Sequence, residues 1–187
     1  MSFKIIGITL PYFFDGEAEA ITAFLESGKI DRMHLRKPES EGDPVQAENM
    51  RRLIEKIPSH LHHRLSLHDH HAEAIKYGCG IHLNKRNPVA PDNYNGIISR
   101  SCHSVEEILL HKKEDYLFLS PIYPSISKPG YVPTLCLSSL KGIVNSRIIA
   151  LGGVTPRHFP ELEYVGFGGA AMLGALWEIY NCITLNK

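Results

Sequence analysis

The sequence predicts an α/β fold in which eight parallel strands close into a compact (β/α)8 TIM barrel with some trimmed helices. Three observations carry that expectation. Short β-branched apolar runs alternate with amphipathic stretches from end to end. That order implies parallel strands joined by right-handed crossovers. The runs number eight, which favours a closed ring over an open doubly wound sheet. A chain of 187 residues is too short for two ordinary domains, so 1–187 is expected to be one barrel domain. It also falls below the ~200 residues at the lower end for such barrels. Helices or loops must therefore be shortened, and the segments after the third and seventh strands are the expected places.

The elements follow in order. Lys4–Leu10 reads as a strand, and Glu17–Glu26 as a helix offering Ala18, Ile21, Ala23 and Leu25 for burial. Asp31–Arg36 is the second strand. Pro44–Ile57 is the second helix, with Val45, Met50, Leu53, Ile54 and Ile57 near helical spacing and Pro44 in the first turn. Arg64–Leu67 is the third strand, and Ala72–Tyr77 a short helix ended by Gly78. Ile81–Leu83 and Gly96–Ser101 are the fourth and fifth strands. Ser104 and Glu107 form a capping box for a helix running to about Lys113. Tyr116–Leu119 is the sixth strand, followed by a loop rich in Pro and Ser over Ser120–Leu135. Ser138–Val144 reads as a helix, Arg147–Leu151 as the seventh strand and Pro160–Leu162 as a helical stub. Val165–Ala171 holds the eighth strand, and Leu173–Cys182 is the closing helix.

Composition narrows the function. Hydrophobic residues make up 43% and charged residues 21%, a globular and not a disordered balance. Lys+Arg and Asp+Glu are both 20, which argues against nucleic-acid binding by bulk charge. No apolar run approaches the ~18–20 residues that span a bilayer, so no membrane partner is expected. The N-terminus reads as the first strand of a cytoplasmic protein. Cys79, Cys102, Cys136 and Cys182 are widely spaced, which fits reduced, structural thiols.

In a barrel the residues just past each strand form the active face. Those residues are Thr9, His34, Arg36, His68, Asp69, His82, Asn87, Ser101, His103 and Ser120, then Ser125, Ser127, Lys128 and the glycine-rich ends of the last two strands. Gly152-Gly153 would let a ligand approach backbone N–H groups, and Gly166–Gly174 leads into a helix N-terminus that favours an anion. The alternative is that these glycines only allow tight packing. Ser125-x-Ser127-Lys128 offers two hydroxyls and an ammonium to an anionic oxygen. His34-x-Arg36 places both side chains on one side of a strand, and an Arg buried there needs an anionic partner, either a ligand or a neighbouring carboxylate. Seven histidines crowd residues 60–82. Their spacing matches no strong zinc motif, and His60, His62 and His63 precede the third strand, on the opposite face from Asp69.

These segments resemble the superfamily of thiamine phosphate synthases and TenI-like thiazole tautomerases. The likeness runs through Met33-His34-Leu35-Arg36-Lys37, Leu67-His68-Asp69, Gly80-Ile81-His82-Leu83, Arg100-Ser101-Cys102-His103-Ser104, Ser120-Pro121-Ile122-Tyr123-Pro124-Ser125-Ile126-Ser127-Lys128, Ile149-Ala150-Leu151-Gly152-Gly153 and Gly166-Phe167-Gly168-Gly169. For the synthase, the resemblance implies Mg²⁺-dependent condensation of hydroxymethylpyrimidine pyrophosphate with thiazole phosphate, giving thiamine phosphate and pyrophosphate. It implies Arg36, Ser101 and Lys128 as catalytic groups. It implies His34, Arg36, His68, Ser101, Ser125, Ser127, Lys128, Gly153, Leu173 and Gly174 as substrate contacts, with Asp69 and Asn87 on the Mg²⁺. Partners would be the two phosphorylated heterocycles. The oligomeric state is open, a homodimer being one option.

The chain departs from the synthase pattern in several places. His34 stands for a Gln, His68 for an Asn and Asn87 for the second Mg²⁺ aspartate. Pro38 takes a Lys position, and Lys37, displaced by one, should point the other way. His34-x-Arg36 and Arg100-Ser101-x-His103 look like the tautomerase branch, yet Pro121 stands where that branch carries its working His. A tautomerase would then need His34 or His103 as base. A non-catalytic binder of thiamine phosphate or thiazole phosphate is the third expectation.

Overall fold

A computed structural model of the chain describes residues 2–38, 44–124 and 135–184. Eight strands are hydrogen-bonded in chain order into a closed barrel: β1 (Lys4–Ile8), β2 (Arg32–Leu35), β3 (Leu65–Leu67), β4 (Gly80–Leu83), β5 (Ile98–Cys102), β6 (Tyr116–Leu119), β7 (Ile148–Ala150) and β8 (Gly169–Met172). The ring closes by parallel pairing of β1 with β8, Lys4 opposite Gly169 and Gly7 opposite Met172. Among the described residues there are six α-helices: α1 (Glu17–Glu26), α2 (Pro44–Lys56), α3 (His71–Tyr77), α4 (Val105–Leu110), α5 (Phe159–Val165) and α6 (Gly174–Thr184). None is long and apolar enough to cross a membrane. The chain divides into two compact units, Ile8–Ser99 and Met1–Gly7 with Arg100–Lys187.

In the 8–99 unit the strands are buried on both faces. Met33, Leu35, Leu65, Leu67, Ile81 and Leu83 are all buried. Strand side chains alternate, so His34, Ser66 and His82 occupy the opposite face and are buried there. The apolar set has its complement in the helices, with Ala18, Ile21 and Leu25 of α1 and Met50, Leu53 and Ile54 of α2 buried. Each such Leu or Ile contributes roughly 1.5–3 kcal/mol by leaving water. Two guanidiniums tie the ends where β2 and β3 begin. Arg32 donates to the carbonyls of Leu65 and His63, and Arg64 to those of Asp31 and Leu25. Lys37 turns away from Arg36, as the strand alternation requires. Its ammonium is buried against Glu17 at 2.5 Å and donates to the carbonyls of Leu10 and Tyr12.

In the other unit, Gly168 and Gly169 lead into β8 where neither position has room for a side chain. A Cβ would lie 1.9 Å from the Ser146 carbonyl oxygen at the first and 2.2 Å from that of Lys4 at the second. The segment after β6 is anchored by Tyr123, which stacks on His158 and donates to Glu161.

Several expectations need correction. The trimming is not confined to the segments after β3 and β7, whose helices α3 and α5 are short, at seven residues each. Among the described residues it goes further after β4, where 84–97 carries no helix, and after β6, where Leu137–Leu140 is one 3₁₀ turn in place of the expected helix over Ser138–Val144. The stub at Pro160–Leu162 is a full helix, α5, led in by a 3₁₀ turn with Pro156 at its start. On α1 it is Ala20 and not Ala23 that is buried, and on α2 Val45 is exposed. The Ser104 hydroxyl accepts from the Glu107 N–H as a cap should, but the Glu107 carboxylate reaches the N–H of His103, one residue further back. Gly78 ends α3 in the left-handed conformation, φ 68°, as expected. Cys79, Cys102 and Cys136 are free thiols, the first two buried.

Candidate active site

The 8–99 unit gathers its polar groups where β2, β3 and β4 end. Thr9, fully buried, sets the first of them. Its N–H donates to the His34 carbonyl, its hydroxyl accepts from the Arg36 N–H at 2.9 Å, and the same hydroxyl donates to the Arg36 carbonyl. The backbone of Arg36 is thereby held one step beyond β2. Its side chain is half-buried, and among the described residues its guanidinium makes no hydrogen bond or ion pair. Burial, then repulsion from Arg86, lowers its pKa, and Asp69 pulls the other way. A partly desolvated cation in this position is receptive to an anionic ligand.

Asp69 follows β3 and is 3% exposed at its side chain. The Nη2 of Arg86 straddles its carboxylate, 3.0 Å from Oδ1 and 2.9 Å from Oδ2, and the Asn87 amide donates to Oδ1 at 3.0 Å. Asn84 holds this turn in place. Its Oδ1 accepts from the N–H groups of Arg86 and Asn87, and its amide donates to the His68 carbonyl. Asp69 and Asn87 do come together, as the resemblance implies. They do not, however, fit an Mg²⁺ site as they stand. Magnesium demands oxygen ligands in tight octahedral geometry. Both Asp69 oxygens already face a cation, and Asn87 turns its amide N–H, not its oxygen, to the carboxylate.

Deeper in the same unit His34, His68 and His82 form a buried group whose ligand atoms all lie within 4.8 Å of one another. His34 Nδ1 is 3.0 Å from His68 Nε2, and His82 Nδ1 is 2.8 Å from the Ser99 hydroxyl. Burial first, then the neighbouring His82, holds the pKa of His34 and of His68 well below the usual imidazole range. Both are neutral rings at neutral pH. The sequence marks each of these residues singly and misses the group. The signal was available in the register: His34 pairs with Ser66, Ser66 pairs with Gly80, and His68 and His82 lie two residues further along. Side chains two apart share a face, so the three rings converge. The crowd at 60–63 stays apart from them, as expected. His62 Nε2 hydrogen-bonds the carbonyls of Ile54 and Ile57, ending α2.

In the other unit Ser101 is half-buried in β5. His103 is exposed, with Nδ1 3.0 Å from the Ser120 carbonyl, to which it donates. Gly153 has φ 64°, and a Cβ there would lie 2.2 Å from the Pro124 carbonyl oxygen. The room at Gly153 is thus already taken by the protein's own loop, so close packing explains this glycine. Gly174 differs: nothing lies within 4 Å of a Cβ at that position. It begins α6 directly after β8 and Leu173, so the helix presents its first N–H groups at a strand end. Ser125, Ser127 and Lys128 lie outside the described residues.

These features define a parallel (β/α)8 barrel whose strand ends carry a half-buried cation, a buried carboxylate under a guanidinium and a helix N-terminus. The chain belongs to the family described as thiamine monophosphate synthase, whose model matches residues 8–176. It is similar to the solved thiamine phosphate pyrophosphorylase of Bacteroides thetaiotaomicron, with 40% identity, a TM-score of 0.82, and 94% of this chain and 85% of that one covered. The corresponding protein of Pyrococcus furiosus is 20% identical with a TM-score of 0.71, covering 92% of this chain and 86% of that one, and shares the fold. Among curated relatives, the thiamine-phosphate synthase of Latilactobacillus sakei is 27% identical over 113 residues, 54% of this chain and 50% of the relative. That of Synechococcus is 31% identical over 106 residues, 52% of this chain and 30% of the relative. The matched segments therefore span half or less of those two relatives.

Proposed function

We propose that the chain condenses hydroxymethylpyrimidine pyrophosphate with thiazole phosphate to give thiamine phosphate and pyrophosphate. The bond between the pyrimidine methylene carbon and the pyrophosphate oxygen breaks, and its electron pair leaves with the pyrophosphate. The thiazole nitrogen lone pair then forms the new C–N bond. The barrier is dominated by charge building on the leaving group and on the methylene carbon, so fixed cations around the phosphates lower it. From the family resemblance, Arg36 is assigned to the departing pyrophosphate, and Ser101, Ser125, Ser127 and Lys128 are assigned as further contacts to substrate. The N–H groups at Leu173 and Gly174 are assigned to the thiazole phosphate, where the dipole of α6 adds to them. Neutral His34 and His68 each spend one ring nitrogen on the other and add no positive charge beside a methylene cation.

The observation that carries this reading is the half-buried Arg36 guanidinium, without a partner among the described residues and next to Arg86. Purified protein supplied with both phosphorylated substrates should release thiamine phosphate, followed by chromatography. Arg36→Ala should lower turnover by about a hundredfold or more, the scale of losing one charge-stabilising donor. Tight binding of either substrate with no product would replace this reading with that of a non-catalytic binder. Aromatisation of a carboxythiazole phosphate, with no condensation, would replace it with the tautomerase.

A further inference from the structure

The phosphate-binding reading rests on cations, and the structure indicates which ones this chain supplies. We propose that Arg86 takes the place of a divalent metal ion: it neutralises Asp69 and, together with Arg36, receives a phosphorylated ligand without metal. The inference depends on the reading above and concerns the same site.

Three observations carry it. Asp69 is nearly inaccessible, and both of its oxygens lie within 3.0 Å of Arg86 Nη2. Any metal that used Asp69 would first have to displace that guanidinium. Next, the arrangement is built into the backbone. Asn84 accepts from the N–H of Arg86 and of Asn87 while it donates to the carbonyl of His68, beside Asp69 in the chain. The turn that delivers Arg86 is therefore tied to the strand end that delivers its partner. Finally, Asp69 is already neutralised and the site carries a surplus positive charge. Asp69 supplies one negative charge and Arg86 one positive charge, Asn87 is neutral, and Arg36 supplies a second positive charge nearby. A dication added here would meet two guanidiniums and a single carboxylate, and in a half-buried setting that repulsion is several times stronger than in water. The Asn87 amide points its N–H at the carboxylate because an oxygen in that place would face another acceptor. It thus serves Asp69 as a donor. A guanidinium suits phosphate oxygens and is always charged, so it can supply the electrostatic role without a metal.

The test uses the full chain and inorganic pyrophosphate. Calorimetric titration in EDTA should give a dissociation constant within about threefold of that in excess Mg²⁺, and Arg86→Gln should weaken binding in EDTA by about tenfold or more. Spin-resonance titration with Mn²⁺ alone should show no bound ion up to about 1 mM, since one buried carboxylate already paired is a poor site for a hard cation. The double variant Arg86→Gln, Asn87→Asp should gain a Mn²⁺ site, with circular dichroism confirming that it folds. Pyrophosphate binding that requires Mg²⁺ overturns the inference and leaves the phosphate reading standing. Wild-type Mn²⁺ binding that Asp69→Asn abolishes does the same. Pyrophosphate binding in neither buffer removes both.

Discussion

The Nη2 nitrogen of Arg86 sits astride the carboxylate of Asp69, 3.0 Å from one oxygen and 2.9 Å from the other. The aspartate is buried and the arginine is 40% exposed. Solvent reaches the pair from one side only, so its strength is intermediate between a surface and a buried ion pair. A double-mutant cycle with Asp69→Asn and Arg86→Gln should give a coupling energy of about 1–2 kcal/mol in urea unfolding. Additive effects of the two substitutions would show that the pair is not formed in solution.

Lys37 and Glu17 are a different case, with side chains only 1% and 2% exposed. Removing one partner strands a buried charge. Lys37→Ala should cost about 3–5 kcal/mol, whereas Lys37→Met together with Glu17→Leu should cost much less, because apolar replacements remove the desolvation burden from both. Urea midpoints of the single and double variants decide this. Burial raises the pKa of Glu17 and lowers that of Lys37.

The neutral rings of His34 and His68 predict a pH dependence. In the folded protein both pKa values are depressed below the ordinary 6.5. Below that pH the unfolded chain takes up protons that the folded chain does not. Stability is therefore full above the unfolded value and falls as the pH drops towards the folded values, by about 1.4 kcal/mol per pH unit for each ring. Denaturation curves between pH 5 and 8 should show this slope, flattened in the variant His34→Gln, His68→Asn. An unchanged slope in that variant would place the titration elsewhere.

Two glycines on the last two strand ends should respond in opposite ways to the same change. At Gly153 alanine meets the Pro124 carbonyl and a left-handed φ. Gly153→Ala should destabilise by about 2 kcal/mol or more. At Gly174 the side chain enters open space, so Gly174→Ala should fall within about 0.5 kcal/mol of wild type. Thermal unfolding separates the two.

Most of the barrel was legible in the sequence because its signals are local. The alternation of apolar runs with amphipathic stretches marked all eight strands, and Glu17–Glu26 and Tyr116–Leu119 match the observed bounds. The elements that went astray were those whose helicity depends on packing. Residues 138–144 have the apolar content of a helix yet make one 3₁₀ turn, while 159–165 form a helix that the prolines concealed. The candidate site shows the same division. Strand-end placement picked out Arg36, Asp69, His34, His68 and Asn87 one at a time. Arg86, by contrast, lies in the loop after β4 and carries no motif.

What the sequence determined by itself is the order of strands and helices, the face on which each strand-end group lies and the family to which the pattern belongs. Those follow from periodicities of two and 3.6, which need no knowledge of neighbours. Only the tertiary structure decided which of those groups touch. The pairing of Arg86 with Asp69 spans 17 residues and depends on a turn held by Asn84, and that of His34 with His68 spans 34 and depends on the register of β2 on β3. Distances of that kind are fixed by the register of β2, β3 and β4, because a shift of one residue would turn every such side chain to the opposite face.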